Sequence, residues 1–199
     1  MMIRSDDRMI FETIITTQDA AGTPHVTPFG VRYEDDLVVI SPYKPSTTLD
    51  NILAIKCAVM NLTDDVRVFA GALTGRQPWQ LMQASKIKAC RLADCLAHVE
   101  LELVELRDDA TRPQLFMQKV AEFNHKPFTG FNRAQAAVIE LAVLVSRLHI
   151  LPKDKIMLEI EYLKIAMDKT AGEREMQAWS WLTEAIANFY AEQAGTNQA

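Results

Sequence analysis

The sequence is short of the residues that several kinds of functional site require. It has only 3 cysteines in 199 residues, an odd number without a Cys-x-x-Cys pair, which disfavours a disulfide framework and a zinc site and favours buried free thiols. The 4 histidines are scattered along the chain without ligand spacing, so no metal site is expected. No Gly-rich dinucleotide fingerprint or Walker loop appears. The cysteines and histidines are Cys57, Cys90, Cys95, His25, His98, His125 and His149.

Long hydrophobic runs and a concentration of positive charge are also missing. The longest apolar run, residues 136–145, is interrupted by Glu140 and is too short to span a bilayer. Charged residues interrupt the first eight positions, so no secretory leader is expected and a cytoplasmic location is predicted. A formal net charge of -5 without a basic stripe argues against a nucleic-acid surface. The sequence therefore predicts neither a nucleic acid nor a membrane as partner.

Strand-type patterns dominate the first two thirds of the chain and helical patterns the rest. With 49% hydrophobic and 24% charged residues, the chain can bury a substantial core. Six or so strands with one short helix between them fit a small barrel better than a parallel sheet, because no repeated strand-helix crossovers appear. The segments with strand patterns are 9–17, 24–33, 37–40, 57–61, 66–70, 95–103 and 114–123; the short helix spans 49–56.

Two segments within this barrel region have particular patterns. Residues 95–103 show the clearest two-residue period, which predicts a strand with one buried face and one wet face that carries His98, Glu100 and Glu102. Residues 75–94 are expected to form a loop with a possible short helix, long enough to be a lid or a subunit contact. Trp79 in that loop could anchor the core or stack on a ring.

Three helices are expected after residue 131. The first, capped by Asn132 with Gln135, runs to residue 151 and is apolar around most of its circumference, so burial on nearly all sides is predicted. Arg133, Glu140 and Arg147 lie along one line of it, either as an ion-pair ladder to the barrel or a second subunit, or with Arg133 as an anion contact. The second helix has Ile156, Ile160, Leu163 and Met167 on one face. The third is capped by Thr170 and Glu173, has an inward stripe of Met176, Trp179, Leu182, Ile186 and Phe189, and ends in a frayed tail at 191–199.

Residues 24–51 combine two strand segments, a polar loop and a helix start. Pro28 and Gly30 interrupt the first strand, which indicates an edge or bulged stretch where a backbone or a flat ring could approach closely. Hydroxyls at the helix start can cap free N–H groups, with Thr47 and Asp50 as a weakened capping box, but with Lys44 they would equally suit a phosphate. The residues that would bind a phosphate are Lys44, Ser46, Thr47, Thr48 and Asn51.

The same stretches resemble a known family. The order of 12–17, then Pro28-Phe29-Gly30-Val31, then 46–52, is similar to the FMN-binding split barrel of flavin reductases and pyridoxamine-phosphate-oxidase-like proteins. The segment 127–134, Pro-Phe-Thr-Gly-Phe-Asn-Arg-Ala, running into 137–140 and Arg147-Leu148, resembles domain-of-unknown-function family 447. The resemblance covers residues 9–151, and the Gly-Phe-Asn-Arg stretch is its most specific part.

This resemblance implies an α+β, mainly β fold: a split β-barrel of the FMN-binding type in residues 1–130, with a C-terminal helical extension in 131–199. It implies FMN as cofactor and a homodimer with the flavin near the subunit interface. The backbone of Thr27, Pro28, Phe29, Gly30 and Val31 would line the isoalloxazine, and Lys44, Ser46, Thr47, Thr48 and Asn51 would hold the phosphate.

The resemblance does not indicate which reaction, if any, the protein catalyses. A flavin-dependent oxidoreductase with a small-molecule electron donor or acceptor is one hypothesis, and the absence of a catalytic triad does not count against it, because the cofactor carries the electrons. A flavin-binding or storage module without turnover is a second. An accessory role in pterin-linked one-carbon metabolism is a third. His25 or His125 could protonate a reduced substrate.

Overall fold

The structure is a computed structural model that describes residues 9–76 and 79–196. The described chain divides into two compact units. The first takes residues 9–63 and 79–128, and the second takes 64–76 and 129–196. The predicted loop at 75–94 falls partly on residues 77–78, which lie outside the described part, as does the end of the tail at 197–199.

The first unit is a closed antiparallel barrel. Its strands follow one another in the order β1-β2-β3-β8-β7-β4, and β4 closes the barrel by pairing with β1. This confirms the small barrel predicted from the strand patterns. The strands are β1 Phe11–Gln18, β2 Pro24–Glu34, β3 Leu37–Ile40, β4 Cys57–Leu62, β7 Ala97–Arg107 and β8 Gln114–Asn124.

Alternate residues of these strands fill the barrel with aliphatic side chains, as a two-residue period requires. Val99 and Leu101 of β7 point inward with Ala58 and Met60 of β4. The rest of this core is Ile15, Val31, Val38, Ile40, Leu49, Ile52, Leu115 and Met117. Burial of this surface is the main term that stabilises the barrel.

Helix α1, Thr47–Ile55, contributes Leu49 and Ile52 to the same core. Ser46 is its N-cap, with extended backbone angles and a hydroxyl that accepts from Leu49 N at 3.3 Å. The helix ends where Lys56 adopts a left-handed conformation at φ 61°. The short helix is confirmed, but the cap is Ser46, not the Thr47–Asp50 box.

The segment predicted as a loop with a possible short helix contains a two-stranded hairpin, β5 Leu81–Gln83 and β6 Cys90–Leu92. Around this hairpin, Ala84, Ile87 and Ala89 pack on Cys57 and Val59 of β4. The hairpin sequence shows no clear two-residue period. Its conformation depends instead on packing against the barrel surface that it covers. Trp79 is half-buried, and no hydrogen-bond acceptor for its indole N–H is found among the described residues.

This hairpin also corrects the prediction of a wet face on β7. His98 is 3% exposed and Glu100 is 0% exposed, whereas Glu102, further along the strand, is exposed. Ser85 and Lys86 of the hairpin contact the Glu100 carboxylate directly. The predicted strand forms, but its polar face is not wet at His98 and Glu100. A polar residue can be buried when a neighbouring segment satisfies its hydrogen bonds.

The second unit is helical, and it includes one helix that the sequence pattern assigned wrongly to a strand. Val66 is the N-cap and residues 67–70 lie in α2, Arg67–Thr74, which begins after Asp65 accepts from Arg67 N and ends at Gly75 with φ 71°. A glycine in the left-handed region is a common helix C-cap. Alternation over five residues cannot distinguish a strand from a helical turn. The other helices are α3 Arg133–Val145, α4 Lys153–Thr170 and α5 Glu173–Thr196.

Helix α3 is shorter and less buried than predicted. Asn132 caps it, accepting from Ala134 N and Gln135 N, but the helix ends at Val145 and residues 146–150 form turns. Arg133, Glu140 and Arg147 are exposed. Within the described residues of this chain none of the three forms an ion pair, and their exposure explains why these charges need no partner here. A ladder to a second subunit stays a prediction.

The last two helices form as expected, with changes at their ends. Thr170 ends α4 and its hydroxyl donates to Ala166 O, while the Glu175 carboxylate accepts from Gly172 N at the start of α5, so Thr170 with Glu173 is not the cap. Met176 is 53% exposed and lies outside the inward stripe, whereas Leu182 and Ile186 are buried.

Among the described residues, no helix is long and apolar enough to cross a bilayer.

Candidate functional site

The strand segment Thr27–Val31 is paired on one side only within the described part of the barrel. β2 pairs with β1 from Pro24 to Val31, but its pairing with β3 covers only residues 32–34. The prediction of a strand edge is therefore confirmed for this stretch. In an antiparallel strand with one partner, alternate backbone N–H and C=O groups point away from the ladder and can bind a ligand.

The side chains of this segment are divided between two faces. Val31 is fully buried in the barrel core and Phe29 packs against the same core. On the other face a Cβ added to Gly30 would lie 2.7 Å from Ile10 Cγ2 and 3.4 Å from a carboxylate oxygen of Glu12. The open side of Gly30 is therefore taken by side chains of this chain, and any planar ligand would meet the free backbone edge instead.

The hydroxyl-bearing residues lie in the first turn of α1, where they differ in exposure. Ser46 is half-buried and Thr47 is exposed, while Thr48 is 1% exposed. The free N–H groups of a first helical turn carry the positive end of the helix dipole. Ser46 satisfies the N–H of Leu49, and the remaining N–H groups of the turn are available to an anion.

Asn51 connects this turn to the barrel. Its Nδ2–H donates to Thr17 Oγ1 at 3.0 Å, and both side chains are buried. Thr17 lies opposite His25 in the β1–β2 register, two residues before Thr27. The beginning of α1 and the beginning of the Thr27–Val31 edge therefore adjoin through the end of β1. Burial lowers the pKa of His25, which keeps this neighbouring imidazole neutral near pH 7.

Two cations lie beside the loop that leads into α1. Lys44 Nζ is 2.8 Å from Asp108 Oδ1, and the hydrogen bond with Lys44 lowers the pKa of Asp108. Arg112 donates to Ser41 O at 3.2 Å, and its guanidinium lies 4.8 Å from the Tyr43 ring centroid. Lys44 N also bonds Thr111 O.

Sequence reasoning did not identify Arg112, because it lies about 70 positions away on the β7–β8 loop. The only signal was an arginine in a polar turn. The fold adds this second cation to the hydroxyls, the helix N-terminus and Lys44. Together they form an arrangement suited to an anionic group.

A second group of functional side chains lies at the start of β7 and just past the end of β8. His98 Nδ1 is 2.8 Å from His125 Nε2, and the ligand atoms of these two residues and of Cys95 all lie within 4.8 Å of one another. Burial lowers the pKa of both imidazoles. Burial also raises the pKa of the Cys95 thiol, and nearby Arg91 opposes that rise. The expectation that the histidines are scattered is therefore wrong for this pair, while His149 is exposed elsewhere.

The closed antiparallel barrel followed by C-terminal helices has the split-barrel fold with a helical extension. Family comparison gives the particular family. The chain belongs to the family described as protein of unknown function DUF447: its N-terminal domain model matches residues 11–126, and its second model matches residues 132–184. The family resemblance drawn from the sequence is confirmed. A comparison with curated proteins gives no match.

Solved structures share the fold at low sequence identity. The FMN-bound crystal structure of a Methanosarcina mazei protein assigned to the same family matches with TM-score 0.76 and 22% identity, over 90% of this chain and 97% of that one. The 2-nitrobenzoate 2-nitroreductase of Pseudomonas fluorescens matches with TM-score 0.52 and 20% identity, over 60% and 68%. A Shewanella frigidimarina protein assigned as a flavin reductase with a split-barrel domain matches with TM-score 0.52 and 16% identity, over 62% and 74%.

Proposed function

We propose that this protein binds FMN and acts as a flavin-dependent oxidoreductase on a small-molecule electron donor or acceptor. The observation that carries the proposal is the match to the FMN-bound Methanosarcina mazei relative over 90% of the chain. The anion-suited arrangement at the start of α1 supports it independently, since it rests on contacts within this chain. Flavin would supply the redox chemistry, and the protein would supply binding and orientation.

The phosphate end of the flavin would bind where α1 begins. Ser46, Thr47 and Thr48 would donate hydroxyl hydrogen bonds alongside the free N–H groups of the first turn. Lys44 would exchange its ion pair with Asp108 for the phosphate, and Asn51 would hold the turn in place through Thr17. Arg112, which the structure adds to these residues, would contribute a second positive charge.

The ring end would lie along the free backbone edge of Thr27, Pro28, Phe29, Gly30 and Val31. Pro28 has no N–H to donate, so it contributes only a carbonyl to this edge. On the paired side, Phe29 O accepts the hydroxyl of Thr13 from β1 at 3.0 Å. The remaining edge groups would fix the orientation of the ring.

A homodimer with the flavin near the subunit interface belongs to the same proposal. Its support is the set of apolar side chains that are exposed on the barrel strands and just before β1, a common feature of interfaces. These are Ile10 at 52%, Phe11 at 43%, Val104 at 56%, Leu106 at 41% and Val120 at 41%. Sedimentation of the flavin-loaded protein tests this: a monomer at micromolar concentration contradicts it.

A flavin-binding or storage module without turnover is the second candidate. Anaerobic reduction by NADH or NADPH distinguishes the two, because an oxidoreductase accelerates reduction of its bound flavin over free FMN and a storage protein does not. An accessory role in pterin-linked one-carbon metabolism rests on association alone, and gene neighbourhood tests it.

A further inference from the structure

Cys95, His98 and His125 converge on the outside of the barrel and take no part in the proposed flavin site. Cys95 and His98 are each 3% exposed, while His125 is exposed. The sheet places His98, which pairs with Phe123 in the β7–β8 register, and His125 N donates to Leu96 O at 2.8 Å. Cys95 precedes β7 and His125 follows β8, so the cluster has one side chain on a strand and two on the adjoining loops.

The two imidazoles meet nitrogen to nitrogen. Their rings are parallel to within 6° with centroids 5.0 Å apart, which is the separation that an edge-to-edge contact of 2.8 Å between His98 Nδ1 and His125 Nε2 produces. In this contact one of the two nitrogens carries a proton and donates it, and the other accepts through its lone pair. Two neutral imidazoles directed at one point are also the usual beginning of a transition-metal site.

Glu100 selects which nitrogen of His98 carries a lone pair. Its carboxylate is fully buried and accepts from Ser85 N at 2.7 Å, Ser85 Oγ at 2.9 Å and Lys86 N at 2.7 Å. His98 Nε2 lies 3.4 Å from Glu100 Oε1, so a proton on Nε2 donates to the carboxylate and leaves Nδ1 free to bind. A carboxylate behind a ligating histidine is the outer-shell arrangement of many zinc sites.

We propose that Cys95 Sγ, His98 Nδ1 and His125 Nε2 bind Zn²⁺ or a similar divalent transition metal, with the fourth position open to solvent. One sulfur and two imidazole nitrogens suit zinc and cobalt rather than magnesium or calcium. Three protein ligands with one open position is the arrangement of catalytic rather than structural zinc. His125 lines a cleft of about 390 Å³, together with Asn124, Lys126, Pro127 and Phe128, which provides an entry path.

Zinc binding requires the two imidazole nitrogens to separate and the sulfur to approach: Cys95 Sγ, within 4.8 Å of the nitrogens, would close by up to about 1.2 Å. Tetrahedral zinc with ordinary bond lengths places two ligating nitrogens about 3.3 Å apart and nitrogen and sulfur about 3.6 Å apart. The two imidazole nitrogens, now 2.8 Å apart, would separate by about half an ångström. His125 can make this movement because it is exposed and follows the end of β8.

Some charges near the cluster oppose the binding of a metal cation and others favour it. The guanidinium of Arg91 donates to Leu92 O and Ala93 O, and its proximity opposes a cation. Burial raises the pKa of the Cys95 thiol and Arg91 only partly opposes that rise, although the thiolate is the form that binds metal. The thiolate and the Glu100 carboxylate offset a divalent charge, and Lys126 is paired with Asp94. Binding releases the thiol proton to solvent, so affinity rises with pH.

Cobalt titration of the full-length protein tests the proposal, followed by difference spectra so that any flavin absorption cancels. We expect saturation at one equivalent with a thiolate-to-cobalt charge-transfer band. Cys95→Ser loses that band, and His125→Ala binds at least tenfold more weakly. Cys90→Ser and His149→Ala are matched controls that leave the titration unchanged. Glu100→Gln keeps the band but lowers affinity about 10- to 100-fold, as an outer-shell positioning residue should.

Three outcomes overturn the proposal: no saturable binding, a charge-transfer band that persists in Cys95→Ser, or an unchanged affinity in His125→Ala. His125 is exposed, so its substitution leaves the fold intact, and circular dichroism confirms this for each variant. Zinc content after gel filtration, measured with and without bound flavin, gives a second readout. A negative result here leaves the flavin proposal untouched, because the two groups share no residue.

Discussion

Asn51 in the first turns of α1 donates its side-chain N–H to the hydroxyl of Thr17 at the end of β1, at 3.0 Å. Asn51 is 5% exposed and Thr17 is 0% exposed. A buried pair of this kind is satisfied only while the helix keeps its position against the strand. The bond therefore holds the proposed phosphate site in register with the free edge of β2.

Substitution of Asn51 by Leu tests this coupling. The change leaves the buried Thr17 hydroxyl without its donor, so we expect a loss of about 1–3 kcal/mol in the free energy of unfolding, together with weaker FMN binding. Urea denaturation measures the first effect and a flavin titration the second. Adding Thr17→Val should recover part of the stability but not the affinity. Full recovery of affinity in the double variant would show that the bond serves folding alone.

Removing the hydroxyls of the first turn tests the phosphate site. Ser46→Ala with Thr48→Ala is expected to lose bound FMN while the protein stays folded, because Ser46 contributes only about 0.5–2 kcal/mol as a cap. Flavin absorption after gel filtration measures occupancy. Retention of full flavin occupancy would refute this placement.

Ser46→Asp separates capping from phosphate binding. Aspartate caps as well as serine, so α1 should be as stable as before by thermal unfolding. Its carboxylate would repel a phosphate at the same position, so we expect FMN affinity to fall at least tenfold. A stable variant that binds FMN normally would mean that Ser46 acts as a cap only.

Arg112 and Lys44 should discriminate FMN from riboflavin, which lacks the phosphate. Arg112→Ala and Lys44→Ala are each expected to weaken FMN binding about tenfold and to leave riboflavin binding unchanged, since a charge-assisted hydrogen bond contributes about 1.5–3 kcal/mol. Fluorescence titration with both ligands measures the ratio. Arg147→Ala, an exposed arginine of the helical unit, is the control. An equal effect on both ligands would place these cations away from the phosphate.

Glu100 should make the barrel sensitive to acid. Burial acts to raise its pKa, but hydrogen bonds from Ser85 and Lys86 prevail and hold the pKa below the usual range of a glutamate. A carboxyl with a depressed folded pKa contributes stability above its unfolded pKa and loses it as pH falls through the folded pKa.

The Glu100→Gln variant makes this measurable by urea midpoints in the presence of a chelator. The variant should be less stable than the natural protein at pH 7, and the difference should shrink below pH 4.5 as Glu100 is protonated. A difference that is the same at pH 7 and well below the folded pKa would show that the carboxylate charge is not involved. Glu102→Gln, on the exposed part of the same strand, should change little at either pH.

The sequence predicted the barrel because its strands are long and regular enough to show their period. The residues 66–70 misled because five alternating positions fit a helical turn as well, and the helix is defined by Asp65 and the left-handed Gly75 at its ends. The hairpin at 81–92 was missed because its order comes from packing on Cys57 and Val59, which no local pattern reveals.

The candidate sites also divide into groups of residues that are consecutive in sequence and groups that only the fold brings together. The hydroxyl cluster at the start of α1 was visible because its residues are consecutive, while Arg112 reaches the loop only through the β7–β8 turn. Cys95 and His98 are three positions apart, but His125 joins them only because β7 and β8 are paired. Groups assembled by strand pairing do not appear in linear spacing, so sequence reasoning could not find this cluster.

The central claim is tested most directly by titrating the purified protein with FMN and recording its visible spectrum after gel filtration. We expect a yellow protein with equimolar flavin, and a near-colourless one when Ser46→Asp is treated identically. A natural protein that stays colourless after incubation with FMN would contradict the account.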